Sequence, residues 1–305
     1  MIEVKDVTRS FGEFTAVAGV RFSIDQKSGI TGLLGPNGAG KTTTMRMITG
    51  YLRPTSGDIT VGGLSVLDTD NLTEIKRRIG YLAETTPLYP EMLVSEFLQF
   101  MGEVRGVTGN ALEQSAREMV ERLDLGSHLY SPIGILSKGF RQRVALAGTL
   151  IHKPEVIILD EPTSGLDPNQ ISEMRDLIKE LGKTATLVLS THILQEVEEL
   201  CSRVIIVSRG KVVADENTAV LRSAAACSVV ARGQDIETKL KASSLIKSVR
   251  ATGPEMHDGF KQYLCEMTED APEKLFPVIA QAGFEVREFS PVSKSLQTVF
   301  EELTH

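Results

Sequence analysis

The sequence predicts an α/β fold: a largely parallel sheet covered by helices, followed by a smaller α+β domain. Three observations carry this expectation. Apolar strand-type runs at Gly29–Leu34, Val156–Asp160 and Thr186–Ser190 are separated by helical patterns, an order that builds parallel sheets. The first run stops in the glycine-rich stretch Gly35-Pro36-Asn37-Gly38-Ala39-Gly40-Lys41-Thr42-Thr43, and a helical pattern follows. Beyond Asp215 the spacing changes to short elements in the order β-α-β-β-α-β, a ferredoxin-like pattern.

Taken in order, Val4–Phe11 and Phe14–Ile24 carry β-branched and aromatic residues in loose alternation around Gly12-Glu13. After the glycine-rich stretch, Met45, Ile48 and Leu52 keep helical spacing. From Val94 to Ile151 the pattern is helical. Leu98 and Met101 belong to one helix, Leu112, Ala116, Met119 and Leu123 to a second, and Gln142–Leu150 to a third opened by Ser137 as N-cap. A further helix begins near Pro168, another covers Ile193–Leu200, and Val204–Ser208 with Lys211–Ala214 forms a closing hairpin. The last elements are Cys227–Arg232, Ile236–Ala242, Ile246–Thr252, Phe260–Met267, Pro272–Ala282 and Phe284–Phe289, then a final helix at Ser295–Leu303. This divides the chain into a domain of residues 1–216, with a helical subdomain at about 85–152, and an accessory domain of residues 217–305.

Composition narrows the function. The 305 residues hold 33 Lys and Arg against 40 Asp and Glu, a net charge of −7 that argues against coating a phosphate backbone, so no nucleic acid is expected as partner. No run approaches the roughly 20 apolar residues of a membrane-spanning helix, and the N-terminal residues lack a secretory pattern. Three cysteines, Cys201, Cys227 and Cys265, lie far apart in sequence, read as buried reduced thiols, and point to the cytoplasm.

Chemistry concentrates at two places. Gly35–Thr42 fits G-x-x-x-x-G-K-[ST]: the glycines let backbone N–H groups face phosphate oxygens at the start of a helix. Lys41 then reaches the β- and γ-phosphates, and the Thr42 hydroxyl suits Mg²⁺. Val156–Asp160 delivers Asp160 and Glu161 to the end of a strand, where open α/β sheets place ligands. Asp160 suits the Mg²⁺ shell and Glu161 the attacking water, as base or orienting group. ATP and Mg²⁺ are thus the expected cofactors.

With these residues in place, the chain resembles the ATP-binding subunit of ABC transporters over about residues 2–215. Leu136-Ser137-Lys138-Gly139-Phe140-Arg141-Gln142 is similar to the family's signature motif, commonly LSGGQ, with departures at Lys138 and Phe140. Ser164-Gly165-Leu166-Asp167 resembles the D-loop, and Ser190-Thr191-His192 the segment of the switch histidine. Phe11 stands at the aromatic position that stacks on adenine, and Glu84 where the family usually has its Q-loop glutamine. The resemblance implies a P-loop ATPase cassette with a RecA-like core, a helical subdomain and an antiparallel β subdomain. It implies a head-to-tail homodimer in which Ser137 and Gly139 of one copy face the γ-phosphate held by the other. It further implies an integral-membrane permease as partner and a cytoplasmic chain peripheral on the inner face of the membrane.

Plainer readings stand beside these. His192 suits γ-phosphate contact or an ordinary loop; Phe11 suits adenine stacking or the core; Asp167 fits both an N-cap before Pro168 and a D-loop contact. Ionised Glu84 offers only acceptors, which suit a metal ion or a water. Lys138 is either a phosphate neighbour or a solvated lysine. Pro87–Val94 is either a packed loop or a permease-docking neighbourhood. Glu84, the altered signature and the C-terminal pattern together resemble the gliding-motility branch of single-cassette exporters. The rival functions are a soluble ABC ATPase acting on ribosomes or nucleic acid and a weakly hydrolysing regulatory module.

Overall fold

In the computed structural model, residues 1–85, 87–219, 226–252, 256, 258–268, 272–281, 283–292 and 300–301 are described. The chain divides into two compact units, one within residues 1–216 and one from residue 217 onward.

The first unit holds two sheets. The antiparallel one runs β2-β1-β4-β5, from β1 (Ile2–Phe11), β2 (Phe14–Ile24), β4 (Ser56–Val61) and β5 (Leu64–Ser65). The central sheet runs β10-β9-β3-β8-β7-β6, from β3 (Ile30–Leu34), β6 (Ile79–Leu82), β7 (Val156–Asp160), β8 (Thr186–Thr191), β9 (Arg203–Ser208) and β10 (Lys211–Asn217). Strands β6, β7, β8, β3 and β9 pair in parallel. Every residue of β3, β7 and β8 is buried, as expected of parallel strands covered on both faces.

Helix α1 (Lys41–Ile48) joins the sheets into one core. Met45, Met47 and Ile48 cluster with Ile2, Phe22 and Ile59 of the antiparallel sheet and with Ile158 and Val188 of the central sheet. The helical region consists of α3 (Val94–Val104), α4 (Gly109–Arg122) and α5 (Lys138–Leu150), with Leu98, Met119 and Leu150 buried. Gly148 lets α5 approach α3: a Cβ there would lie 2.8 Å from the Phe97 ring. Helices α6 (Pro168–Leu181) and α7 (Leu194–Leu200) follow β7 and β8. No helix among the described residues is long and apolar enough to cross a membrane.

Between Tyr51 and Val94 the sequence reading names no element, yet β4, β5, α2 (Leu72–Arg78) and β6 lie there. They are two to seven residues long, too short to show a period. Strand β6 also begins directly after α2, with no turn residue between Arg78 and Ile79.

The second unit contains β11 (Ala226–Arg232), α8 (Ile236–Lys241), β12 (Ile246–Ala251), β13 (Lys261–Met267), α9 (Pro272–Gln281) and β14 (Glu285–Val292). Its sheet runs β12-β13-β11-β14 with antiparallel pairing throughout, and Ile236, Leu240, Leu275 and Ile279 of the helices share its core. Most of the expected Ser295–Leu303 helix lies outside the described residues. Cys227 and Cys265, distant in sequence, are direct cross-strand partners on β11 and β13. All three cysteines are buried thiols outside any disulfide. Burial pushes Cys201 and Cys265 up to about 12, so neither is a ready thiolate.

Ile158 is fully buried in β7 between both sheets. Ile158→Ala is expected to destabilise the first unit by about 2–5 kcal/mol, read from the shift of its denaturant midpoint. A shift below about 1 kcal/mol would contradict the packing described.

Candidate functional site

Parallel register brings three strand ends together. Leu34 of β3 pairs with Thr191 of β8, and Asp160 of β7 pairs with Ser190 of β8. The chain leaving β3, the acidic pair leaving β7 and His192 leaving β8 therefore emerge side by side, where open α/β sheets bind ligands.

The loop after β3 depends on its glycines. At Gly35 a Cβ would sit 2.3 Å from the Val207 carbonyl oxygen, and at Gly40, with φ 105°, 2.6 Å from the Ala16 carbonyl oxygen. Backbone occupies the space a side chain needs at both positions. The Ala39 N–H donates to the Pro36 carbonyl at 3.1 Å, tightening the loop before α1 starts at Lys41. The N–H groups of Lys41, Thr42 and Thr43 open that helix and have no intrahelical acceptor, so they suit an anion.

Lys41 is only 6% exposed. Its ammonium donates to the carbonyls of Gly35 at 2.7 Å and Pro36 at 3.3 Å and lies 3.7 Å from a Glu161 carboxylate oxygen. Loss of hydration holds the amine below the usual lysine range, against the pull of Glu161, Asp160 and Glu84.

Glu161 has a left-handed backbone, φ 51°, as the chain turns sharply out of β7. Its N–H donates to the Ser190 carbonyl at 3.1 Å, and its carboxylate meets His192 Nδ1 at 2.9 Å. Lys41, Glu161 and His192 thus form one continuous chain of polar contacts, with His192 half exposed. Asp160 lies one layer deeper. It is fully buried and accepts from the Ser190 hydroxyl, with the Tyr81 hydroxyl at 3.5 Å. Burial and the adjacent Asp160 push the Tyr81 phenol up to about 12.

Lys41, Glu161 and His192 face a cleft of about 530 Å³ lined by Asn37–Thr43, Glu84, Glu161, Ser164 and His192. Thr42, Glu84 and Glu161 give it hard oxygen donors of the kind Mg²⁺ prefers. No cluster of three or more metal-ligating side chains occurs among the described residues.

The other expected site residues lie elsewhere. Phe11 is absent from the cleft wall; its ring is half exposed and carries the Arg9 guanidinium 4.5 Å from its centre. Phe14, its cross-strand partner on β2, lines the cleft instead. Gly35 and Pro36 shape the loop from behind through their carbonyls. Ser137 accepts from the Phe140 N–H as N-cap of α5, and Gly139 lines a separate hollow, where a Cβ would lie 2.5 Å from the Gln170 side chain. Asp167 caps α6 by accepting from the N–H groups of Asn169 and Gln170, both at 3.0 Å. Sequence reading missed Phe14 as a site residue, whereas Ser164 belongs to the D-loop resemblance and does line the cleft. An aromatic immediately after the Gly12-Glu13 turn was the available signal for Phe14.

The description "ABC transporter" matches residues 17–164 as a family. The uncharacterized ABC transporter ATP-binding protein YhaQ of Bacillus subtilis is 33% identical over 99% of this chain and 98% of its own length, so the similarity runs through the second unit. The linearmycin resistance ATP-binding protein LnrL of the same organism is 36% identical over 70% of this chain and 68% of its own. Among solved structures, the dimeric bacterial ABC transporter cassette MJ0796 superposes with a TM-score of 0.65 at 28% identity, covering 71% of this chain and 98% of that one. Its post-hydrolysis dimer with ADP and Pi gives a TM-score of 0.64, again at 28% identity and the same coverage. The fold is an ABC cassette of the P-loop NTPases. The chain belongs to the ATP-binding subunits of ABC transporters, which are ATPases.

The buried Lys41 cation makes a prediction about pH. Between its lowered folded value and the ordinary 10.5, the unfolded chain binds more protons, so stability rises with pH across that window. In nucleotide-free protein, the stability of wild type relative to Lys41→Met is expected to increase as pH climbs towards 10.5, measured by urea unfolding. A difference independent of pH would contradict the burial.

Proposed function

We propose that this chain binds Mg²⁺-ATP in the cleft beside Lys41, hydrolyses it with Glu161 and His192, and drives a separate membrane permease. The observation carrying this reading is the contact chain Lys41–Glu161–His192 along the wall of a cleft whose floor is a phosphate loop. Lys41, released from the Gly35 and Pro36 carbonyls, neutralises β- and γ-phosphate charge. The N–H groups of Lys41–Thr43 orient those phosphates. Glu161 accepts the proton of the attacking water, and His192, hydrogen-bonded to it, holds that carboxylate towards the γ-phosphate. Thr42 and Glu84 of the cleft lining, together with the buried Asp160, would hold the metal ion. When bound, Mg²⁺ supplies neutralisation of phosphate charge.

Ser137 and Gly139 do not line this cleft, and Lys138 is exposed at the first turn of α5. A second copy, placed head to tail, brings the start of its α5 to the γ-phosphate and completes two shared sites through one twofold interface. The dimeric cassette superposed above supports that arrangement. The permease docks at a hollow of about 490 Å³ bounded by Tyr51, Tyr81, Pro87, Tyr89, Phe97 and Met101, where Tyr51 and Tyr89 are exposed. Glu84 lines the cleft while its chain neighbours Ala83 and Thr85 line the hollow, and it couples one to the other. Docking there holds the chain on the inner face of the membrane. The gliding-motility branch of single-cassette exporters is the nearest relation on this reading, supported by Glu84, the Leu136–Gln142 signature and the β-α-β-β-α-β unit.

Glu161→Gln is expected to keep ATP affinity while turnover falls by about 100-fold or more, with ATP-bound dimer accumulating. Equilibrium binding, steady-state phosphate release and sedimentation measure the three outcomes. Near-normal turnover would remove Glu161 as the base.

A further inference from the structure

Glu196 is a carboxylate with no role in the contacts described so far. It sits in the first turn of α7, is fully buried, and does not line the cleft. Burying such a group costs several kcal/mol unless its oxygens are hydrogen-bonded. Here both are. The Thr163 hydroxyl donates to Oε1, and the Thr191 hydroxyl donates to Oε2 at 2.7 Å. Thr191 Oγ1 in turn accepts the Ile193 N–H at 3.0 Å, which fixes the direction of its own proton.

The two threonines belong to different turns. Thr163 follows Glu161 by two residues, and Thr191 immediately precedes His192. Glu161 and His192 meet at 2.9 Å on the cleft side, while Glu196 joins the same two turns from the buried side. The result is a closed ring: Glu161, Thr163, Glu196, Thr191, His192 and back to Glu161. An apolar residue at 196 would fill the volume equally well, but it would fix no direction. A doubly bonded carboxylate sets the separation and orientation of both turns.

We infer that Glu196 is a positioning residue for the hydrolytic pair, acting through Thr163 and Thr191 to hold Glu161 and His192 in register. The inference rests on the reading of Glu161 and His192 given above. Its consequence is selective. The backbone N–H groups of the loop and the start of α1 hold phosphate outside this ring, which Lys41 meets only at Glu161, whereas alignment of the base runs through it. Small misplacements of a reacting group cost far more in rate than in binding.

Thr191→Val and Thr163→Val each delete one hydroxyl at nearly constant shape, and Glu196→Gln replaces one acceptor by a donor. In the full chain, kcat for ATP is expected to fall about tenfold or more for Thr191→Val, with ATP affinity held within about threefold. Hydrogen exchange in peptides covering residues 161–164 and 191–193 is expected to accelerate, with the phosphate-loop peptide unchanged. Thr191→Ser, which keeps the hydroxyl, is expected to restore most of kcat. The inference is overturned if folded Thr191→Val and Thr163→Val both retain kcat within about twofold, or if kcat and affinity fall together with exchange rising throughout the unit. Should Glu196→Gln fail to fold, the threonine variants still decide the matter. If Glu161→Gln and His192→Ala turn over normally, the underlying reading fails. If those two lose turnover and Thr191→Val does not, only the role of Glu196 fails.

Discussion

Parallel pairing of β3, β8 and β7 is the constraint from which the site follows. Each strand is buried on both faces, so its register cannot slip without moving apolar side chains out of the core. With Leu34 opposite Thr191 and Asp160 opposite Ser190, the three chain exits are fixed next to one another. The left-handed turn at Glu161 then swings its carboxylate out of the sheet towards Lys41 and His192, while Asp160, one residue earlier, stays inside. One strand thus supplies a buried acidic residue and a cleft-facing one at successive positions.

The cleft stores electrostatic tension. Lys41 is kept out of water and holds onto backbone carbonyls of its own loop, with a carboxylate 3.7 Å away. Neither partner satisfies it as a polyphosphate would, because three converging N–H groups beside it have no intrahelical acceptor either. A cation and helix-opening N–H donors facing the same hollow favour an anion. In the same lining, the carboxylates of Glu84 and Glu161 disfavour a bare anion and favour one that arrives with a divalent metal.

Much of this was legible in the chain because the phosphate loop and acidic strand are contiguous motifs whose chemistry depends on local order. Gly35 and Gly40 announce a loop that backbone must approach closely, and the structure puts carbonyl oxygens there. What sequence could not convey was adjacency across space. Phe11 and Phe14 both fit an aromatic wall and are cross-strand partners, yet only Phe14 lines the cleft. Cys227 and Cys265 are 38 residues apart yet directly opposed in a sheet. Glu196 reads as one acidic residue in an ordinary amphipathic turn, since its partners come from two other segments. Strand β6 escaped because four residues carry no period. Ser137, Gly139 and Asp167 show the converse: each has an evident local duty as a cap or a close contact, so motif and fold place different demands on the same residues.

The central claim is that the cleft beside Lys41 is half of a catalytic site and that a second copy supplies the rest. Subunit complementation tests it most directly. Lys41→Ala and Ser137→Ala chains are each assayed alone and after mixing in equal amounts, with phosphate release as the readout. A head-to-tail dimer leaves one intact site in each mixed pair, so activity is predicted to recover to about a quarter of wild type from two inactive preparations. A mixture no more active than its components, with wild-type specific activity independent of protein concentration, would contradict the account.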